Sequence, residues 1–126
     1  MIIGVGVDVV GVARLAAALQ RTPSLRARLF ADAESDLADD RLAARLAAKE
    51  ATGKALGGGY GGAFRDVEVV TGAAGRPELL VGGATARRAA ELGVTRWHVS
   101  LSHDAGIATA VVLAEGAATA VSEGSA

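Results

Sequence analysis

The order of predicted helices and strands restricts the fold of this chain more than any other feature of its sequence. Periodicity and turn residues place strands at 2–10, 66–71, 77–81, 96–102 and 107–115, and helices at 12–22, 24–30, 39–57 and 84–92. The strict strand–helix alternation of a parallel sheet is missing. We therefore predict an α+β fold, in which an antiparallel sheet packs against one long and several short helices, with a single domain at 1–116 and a disordered tail at 117–126.

A carboxylate lies in the middle of the N-terminal strand, where charged side chains are disfavoured. The odd positions from 3 to 9 are all β-branched, so we predict that they fill the core face of this strand. Asp8 falls on the other face with Gly4 and Gly6, which leave open space beside it. This carboxylate either pairs with a partner inside the fold or marks the point where the strand turns to solvent.

Two sequence signals predict how the helices begin and end. The helix at 39–57 is expected to have Asp39 as its N-cap and a glycine at its C-terminal end. Pro23 ends the helix at 12–22, and Ser24 is expected to cap the short helix that follows.

The composition limits both the core and the chemistry of the chain. The 126 residues include 29 alanines and 17 glycines but only four aromatic residues, so the core must be thin, and a thin core favours assembly into an oligomer. Cysteine is absent, which excludes disulfides, thiolate metal sites and a cysteine nucleophile. No apolar run reaches the length of a membrane span, and Asp8 interrupts the apolar N-terminus, so we expect a cytoplasmic protein without a signal peptide.

The charges are unevenly distributed although they nearly cancel. A net charge of −1 argues against a nucleic-acid-binding protein. The segment 9–31 contains arginine but no acid, and the segment 32–40 contains acids but no base. The basic segment is either a docking patch for an acidic partner or an ordinary solvated helix face, and its arginines are Arg14, Arg21, Arg26 and Arg28.

The two lysines of the chain both lie in the helix at 39–57. Glu50 precedes Lys54 by four residues, so the two side chains can meet on one helix face. On a helical wheel both fall beside small apolar residues, and Lys49 falls on the line of Leu42 and Leu56. Charges at such positions indicate a lined cleft, whereas the simpler interpretation is a surface Glu50–Lys54 pair that stabilises the helix.

Polar side chains cluster at the end of the strand at 96–102. Ser100, Ser102, His103 and Asp104 do not form a hydrolase triad, because adjacent residues cannot form the relay and no G-x-S-x-G segment is present. Hydroxyls and an imidazole at a strand edge suit the binding of phosphate oxygens, although His103 could also be an ordinary turn residue. We expect His98 to be an exposed strand residue.

Two carboxylates, Asp8 and Glu50, lie in unusual positions and have neither histidine nor cysteine beside them in the sequence. Such a pair prefers a hard cation, usually Mg²⁺ shared with substrate phosphates. The residues therefore indicate phosphate-ester chemistry without naming a reaction.

Five segments together resemble the small holo-[acyl-carrier-protein] synthase family of 4′-phosphopantetheinyl transferases, over about residues 2–115. They are IIGVGVDVVGVARL at 2–15, FADAE at 30–34, RLAAKEATGKALG at 45–57, GRPEL at 75–79 and WHVSLSHDAGIATAVVLAE at 97–115. The resemblance implies transfer of the phosphopantetheine arm of coenzyme A to a serine of an apo acyl carrier protein, with adenosine 3′,5′-bisphosphate as the by-product.

The resemblance also implies roles for individual residues. Asp8 and Glu50 would hold Mg²⁺, and Lys54 and His103 would contact the phosphates of coenzyme A. The base for the carrier serine would be a metal-bound water steered by Glu50 or, alternatively, Asp104. The remaining implied residues would hold the nucleotide, near its adenine end in the case of the GRP turn, and they are Arg45, Ser100, Ser102, Gly75, Arg76 and Pro77.

The family resemblance further implies partners and assembly. Arg14 and Arg21 would grip the acidic helix of the carrier protein, which favours the docking interpretation of the basic segment. The chain would form a homotrimer, with Asp8 and Glu50 from one subunit and the contacts around 100–103 partly from the next. Leu46 stands where the family usually has an aromatic residue, so weaker stacking near the cofactor is expected, and the GGGYGG segment at 57–62 is unusually rich in glycine.

Two other classes of function compete with a transferase. One is a trimeric module that binds coenzyme A or another nucleotide without turnover, for which a pair of metal-binding carboxylates would be unnecessary. The other is a structural oligomer in which all these charges form surface pairs.

Overall fold

A computed structural model describes residues 1–118 of the chain, so most of the tail expected at 117–126 lies outside the described residues. The helices and strands agree with the predicted ones to within two residues at every end. In chain order they are β1 (Ile2–Gly11), α1 (Val12–Arg21), α2 (Leu25–Leu29), α3 (Asp39–Ala55), β2 (Val67–Thr71), β3 (Pro77–Val81), α4 (Gly83–Glu91), β4 (Val94–Asp104) and β5 (Ile107–Gly116).

The strands form two antiparallel sheets, which confirms the predicted α+β class. The larger sheet has the order β1-β5-β4, so the first strand of the chain pairs with the last. The smaller sheet is the hairpin of β2 and β3, in which Val67 lies opposite Val81. Helix α3 packs against the larger sheet and against β2, and it thereby joins the two sheets.

The core between α3 and the larger sheet is built from small residues. On β5, alternate residues from Ala108 to Ala114 are fully buried, and they meet an alanine-rich face of α3 that includes Ala47 and Ala51. A second cluster, with Phe30 and Leu42 at its centre, lies between the N-terminal half of α3 and the helices α1 and α2. The thin core expected from the composition is therefore divided between two clusters along one helix.

The prediction for the faces of β1 was wrong. Val5, Val7 and Val9 are 57%, 54% and 60% exposed, and they lie on the sheet face that α3 does not cover. The glycine face is the one that packs on α3. A Cβ atom built on Gly4 or Gly6 would lie 1.8 Å from the carbonyl oxygen of Ala55 or Ala51. Only glycine permits so close an approach of strand and helix backbones, so the alternation was correct but the buried face was reversed.

Two predicted helix caps were also wrong. The N-cap of α3 is Ala38, and Asp39 and Asp40 lie inside the first turn, where their charges still favour the positive end of the helix dipole. Ser24 precedes α2 but has a helical backbone conformation and forms no side-chain capping hydrogen bond. The predicted C-terminal glycine of α3 is correct, because Gly57 follows the helix with φ of +86°.

Within residues 1–118, none of the helices is both long enough and apolar enough to cross a membrane.

Candidate active site

Three predicted site residues come together where β1 meets the C-terminal half of α3. The ammonium of Lys54 donates hydrogen bonds of 3.0 Å to a carboxylate oxygen of Asp8 and to the carbonyl oxygen of Val7. Glu50 lies one helical turn before Lys54 and is half-buried. The site therefore contains two carboxylates and one ammonium, and the Lys54 side chain remains 56% exposed.

The glycines of β1 explain why a mid-strand carboxylate reaches this helix. Asp8 lies on the same face of the strand as Gly4 and Gly6, whose backbones contact α3 directly. The close approach of the two backbones leaves a short side chain such as Asp8 within reach of Lys54. Of the two possibilities left open by the sequence, the structure confirms that Asp8 has a partner inside the fold.

The carboxylate of Glu50 is in an environment that disfavours its charge. Burial raises the pKa of Glu50, and the nearby carboxylate of Asp8 raises it further, while Lys54 acts in the opposite direction. A cation placed between Asp8 and Glu50 would relieve both unfavourable effects, because it would compensate the lost solvation and separate the two negative charges.

Among the described residues, the two lysines of α3 bind other partners than the simpler interpretation, a Glu50–Lys54 surface pair, predicted. Among the ion pairs of residues 1–118, Lys54 joins Asp8, and no pair links it to Glu50. Lys49 is buried, as its position on the apolar line of the helix predicted, and its ammonium binds Glu34 at 2.8 Å. The cleft interpretation of the helix thus holds for Lys54, whereas Lys49 belongs to the interior.

Glu34 is the important residue that the sequence analysis did not single out. Its two oxygens accept hydrogen bonds from Lys49 and from the backbone amides of Ala31 and Val69, and the residue is 1% exposed. Lys49 also donates to the carbonyl oxygens of Phe64 and Val67. The available signal was the position of Glu34 in the FADAE segment, one of the five segments that carry the family resemblance.

Arg45 lies on α3, one turn before Lys49, and is half-buried. Its Nε atom is buried and has no hydrogen-bond partner among residues 1–118. Burial lowers the pKa of Arg45; Glu34 opposes this effect and Arg41 adds to it. This nitrogen is therefore a buried donor that the described residues leave without an acceptor.

The residues at the end of β4 do not join Asp8 and Glu50 within one chain. His103 lies 3.8 Å from Asp40 at the first turn of α3, about 15 Å along the helix from Glu50. Ser100 and Ser102 pair with Val111 and Thr109 in the sheet, on the face that α3 does not cover. Asp104 is exposed beside the turn that leads to β5.

The GRP turn lies on a different side of the molecule from Asp8. Gly75 to Pro77 are at the tip of the β2–β3 hairpin, and Gly75 has φ of +74°, which only glycine adopts readily. Arg76 and Pro77 line a groove of about 530 Å³ together with Arg96, Trp97 and His98 of β4. His98 is exposed, as predicted, and binds Glu115 at 2.8 Å.

Arg14 and Arg21 are exposed on α1 and share one groove. Its volume is about 360 Å³, and its apolar lining includes Leu15, Leu29 and Leu46. Leu46 therefore lies beside the two arginines and not beside Glu50 and Lys54. The face of α3 that carries Leu46 is turned towards α1, and weaker stacking near the cofactor stays a prediction.

The arrangement of Asp8, Glu50 and Lys54 suits the binding of a cation and of phosphate oxygens. No group of three or more potential ligands among histidine, aspartate and glutamate exists in residues 1–118. Mg²⁺ commonly takes one or two carboxylates and completes its shell with water and substrate phosphates. Two carboxylates with a solvent-accessible ammonium match that donor set.

Comparisons with known proteins identify the family of the chain. A family model described as the 4′-phosphopantetheinyl transferase superfamily matches residues 4–112. The holo-[acyl-carrier-protein] synthase of Clavibacter sepedonicus is 60% identical over 116 residues, which cover 92% of this chain and 98% of that protein.

Two solved structures share the fold. The holo-[acyl-carrier-protein] synthase of Neisseria meningitidis is 31% identical with a TM-score of 0.82, and the match covers 91% of this chain and 99% of that one. The synthase of Helicobacter pylori in complex with coenzyme A is 26% identical with a TM-score of 0.77, and the match covers 88% of this chain and 99% of that one. On the sequence match and the fold together, the chain belongs to the 4′-phosphopantetheinyl transferase superfamily.

Proposed function

We propose that this chain transfers the 4′-phosphopantetheine group from coenzyme A to a serine of an apo acyl carrier protein. The serine oxygen attacks the phosphorus that bears the pantetheine arm, and the bond from that phosphorus to the bridging oxygen breaks. Adenosine 3′,5′-bisphosphate leaves, and the serine proton passes to a base. The observation that carries the proposal is the meeting of Asp8, Glu50 and Lys54 in a chain that belongs to this family.

We propose that Asp8 and Glu50 would hold Mg²⁺, because their donor chemistry fits that ion and because a cation would relieve the burial and the repulsion from Asp8 that raise the pKa of Glu50. When bound, Mg²⁺ would neutralise charge on the pyrophosphate and on the leaving group. Lys54, held by Asp8 and the Val7 carbonyl, would donate to a phosphate oxygen. A preorganised ammonium at this point stabilises the charge that develops as the bond breaks.

The proton of the carrier serine requires a base, and two residues compete for this role. Glu50 is close to Lys54 and could act through a water molecule. Asp104 is exposed at the end of β4 and, like His103, lies far from Glu50 in the same chain. A variant D104A that keeps most of kcat would exclude Asp104 as the base.

We infer that the complete site is shared between subunits of a homotrimer. Asp8 and Ser102 lie on opposite faces of one sheet, so a single chain cannot direct both at one ligand. The outer face, which carries the serines, also exposes Val5, Val7 and Val9 to an extent unusual for a monomer. A neighbouring subunit seated on this face would bury the valines and would bring its own polar residues to the site.

We also propose that the two grooves take the remaining parts of the substrates. The groove beside the GRP turn contains Arg76, Arg96 and Trp97, which suit the charge and the aromatic base of a nucleotide. Arg45, which is half-buried on α3, would bind a phosphate, as would His103, Ser100 and Ser102 of the adjacent subunit. The groove with Arg14 and Arg21 combines an apolar floor with a basic rim, which suits an acidic amphipathic helix of the carrier protein.

The decisive experiment incubates the protein with coenzyme A, Mg²⁺ and a purified apo carrier protein. A gain of about 340 Da on the carrier, detected by mass spectrometry, is expected for one phosphopantetheine. The control variant E50A and a chelator should both abolish this gain. Binding of coenzyme A that persists in chelator without any mass gain would instead favour the non-catalytic binding module.

The shared site has its own test. We expect E50A and H103A to be inactive separately and to regain activity when their subunits are mixed, because some interfaces would then contain both intact halves. Mixed trimers without any activity would contradict the sharing. Light scattering should give three times the mass of the chain.

Two further proposals concern location and domain bounds. We propose a cytoplasmic location for this coenzyme A-dependent enzyme, which cell fractionation tests. Residues 1–116 should suffice for activity as a single domain.

A further inference from the structure

A cavity opens beside Glu50 and Lys54, on the side of α3 that faces away from α1. Its volume is about 500 Å³, which lies within the range of sites for drug-sized ligands, about 300–1,000 Å³. The glycine-rich loop at 57–62 forms one side, and the segment from Ala63 to Val67 forms another. The cavity is continuous with the proposed phosphate site, because Glu50 and Lys54 line both.

The charges of the lining decide which part of coenzyme A could enter. Lys49 reaches the cavity, but its ammonium is occupied by Glu34 and by two backbone carbonyls. Apart from Lys49, Glu50 and Lys54, the lining residues are uncharged, mainly glycine with Tyr60, Phe64 and Thr85. A nucleotide with a further phosphate would find no partner for its charge here, whereas the neutral amide arm and its thiol end would fit.

Tyr60 is the largest side chain of the loop, and glycines flank it in the sequence. Its hydroxyl lies 3.6 Å from the position that a Cβ on Gly53 would take, which is ordinary van der Waals contact, so the side chain lies against α3 at this point. A Cβ on Gly62 would lie 2.3 Å from ring atom Cε2, which a real side chain could not occupy. The φ angles of Gly58, Gly59 and Gly61 are between +65° and +78°, which only glycine adopts without strain.

We propose that Tyr60 forms the wall that the thiol end of coenzyme A meets, and that it thereby limits the length of an acyl group carried on that thiol. This inference rests on the proposed transferase function. An acyl group lengthens the arm without changing its phosphates, so it competes for space with the tyrosine ring and leaves the contacts of Glu50 and Lys54 intact. Tyr60 is then a specificity-determining residue of the reaction.

The test measures kcat/KM with coenzyme A, acetyl-, butyryl- and hexanoyl-coenzyme A, using the mass of the modified carrier as the readout. In the wild type we expect kcat/KM to fall with acyl length. In Y60A the ratio of hexanoyl- to unacylated coenzyme A should rise by about tenfold, because removing the ring leaves room for several methylenes. Y60F is the matched control, since it keeps the ring and should keep the donor ratios of the wild type.

The outcomes separate this inference from the proposed function. Transfer from coenzyme A with the same donor ratios in wild type and Y60A would overturn the role of Tyr60 and leave the transferase intact. No transfer from coenzyme A in the wild type would overturn both. If Y60A does not fold, Y60L provides the same comparison, because leucine keeps an apolar contact with α3 but is shorter than the ring, and an unchanged ratio in Y60L would equally contradict the proposal.

Discussion

The two lysines of α3 lie five residues apart and serve different purposes. Lys49 and its partner Glu34 have side chains that are 1% and 2% exposed, and they are surrounded by backbone donors and acceptors that they satisfy. Lys54 and its partner Asp8 are 56% and 18% exposed, and they lie beside a second carboxylate. The lysine–acid pair is therefore inaccessible to solvent at Lys49 and accessible to solvent at Lys54.

The difference separates a stabilising buried pair from the site proposed for catalysis on the same helix. The Lys49–Glu34 pair ties α3 to the segment between α2 and α3 and, through the amide of Val69, to β2, and it leaves no capacity for a ligand. The Lys54–Asp8 pair costs little to open, because exposed ion pairs are worth at most about 1 kcal/mol. Its charges can therefore be redirected to a phosphate and a cation.

The largest effect on stability is expected from K49M. Methionine keeps the length of the side chain but leaves the carboxylate of Glu34 buried without its counter-charge. Breaking one partner of a buried pair costs about 3–5 kcal/mol, so a corresponding fall in the free energy of unfolding is expected in urea titrations. A loss below about 1 kcal/mol would show that the two lysines are not as different as their burial indicates.

K54M should give the opposite result. We expect kcat to fall by about 10²–10³-fold, because one preorganised donor to the developing charge is lost. The free energy of unfolding should change by less than about 1 kcal/mol. Steady-state transfer assays and urea titrations on the same preparation measure both quantities, and R87M on the exposed face of α4 serves as a control for the loss of a positive charge. Equal losses of stability in K54M and K49M would contradict the comparison.

The double variant E34Q/K49M sharpens the account of the buried pair. Glutamine removes the uncompensated charge and keeps a carbonyl oxygen for one of the two backbone amides, Ala31 or Val69, which bind different oxygens of Glu34. We expect it to recover about 1–3 kcal/mol of the stability lost in K49M, again from urea titrations. A double variant no more stable than K49M would mean that lost packing, and not the unpaired charge, causes the defect.

The smallest expected effect is a change in the titration of Glu50 in the metal-free protein. Burial and Asp8 raise the pKa of Glu50, so D8N should lower it and K54M should raise it, as followed by carbon-detected NMR of the carboxyl group. Because the folded protein holds this proton more tightly than the unfolded chain, the contribution of Glu50 to stability decreases as the pH rises from the ordinary pKa through the raised one. A pKa of Glu50 that D8N leaves unchanged would contradict the proximity of the two carboxylates.

Much of this molecule was predictable from local patterns. The long helix, the hairpin around the GRP turn and the paired last strands follow from periodicity and glycine positions, and all are present within two residues of the expected bounds. Asp8 and Glu50 were identifiable because carboxylates in mid-strand and among alanines contradict the pattern around them. The N-caps at Ser24 and Asp39 failed because a suitable side chain near a helix start does not ensure that it adopts the capping geometry.

The amino-acid order alone established which elements form, which charged residues are out of place and which family the motifs resemble. Only the tertiary structure decided which face of β1 is buried, because alternation gives two faces but not the one that meets a helix. It also decided the partners of the two lysines, which are Glu34 for Lys49 and Asp8 for Lys54. Helical spacing alone allowed a Glu50–Lys54 pair equally well. The pairing of Lys54 with Asp8 depends on how closely β1 approaches α3, and Gly4 and Gly6 permit that approach although they lie far from α3 in the sequence.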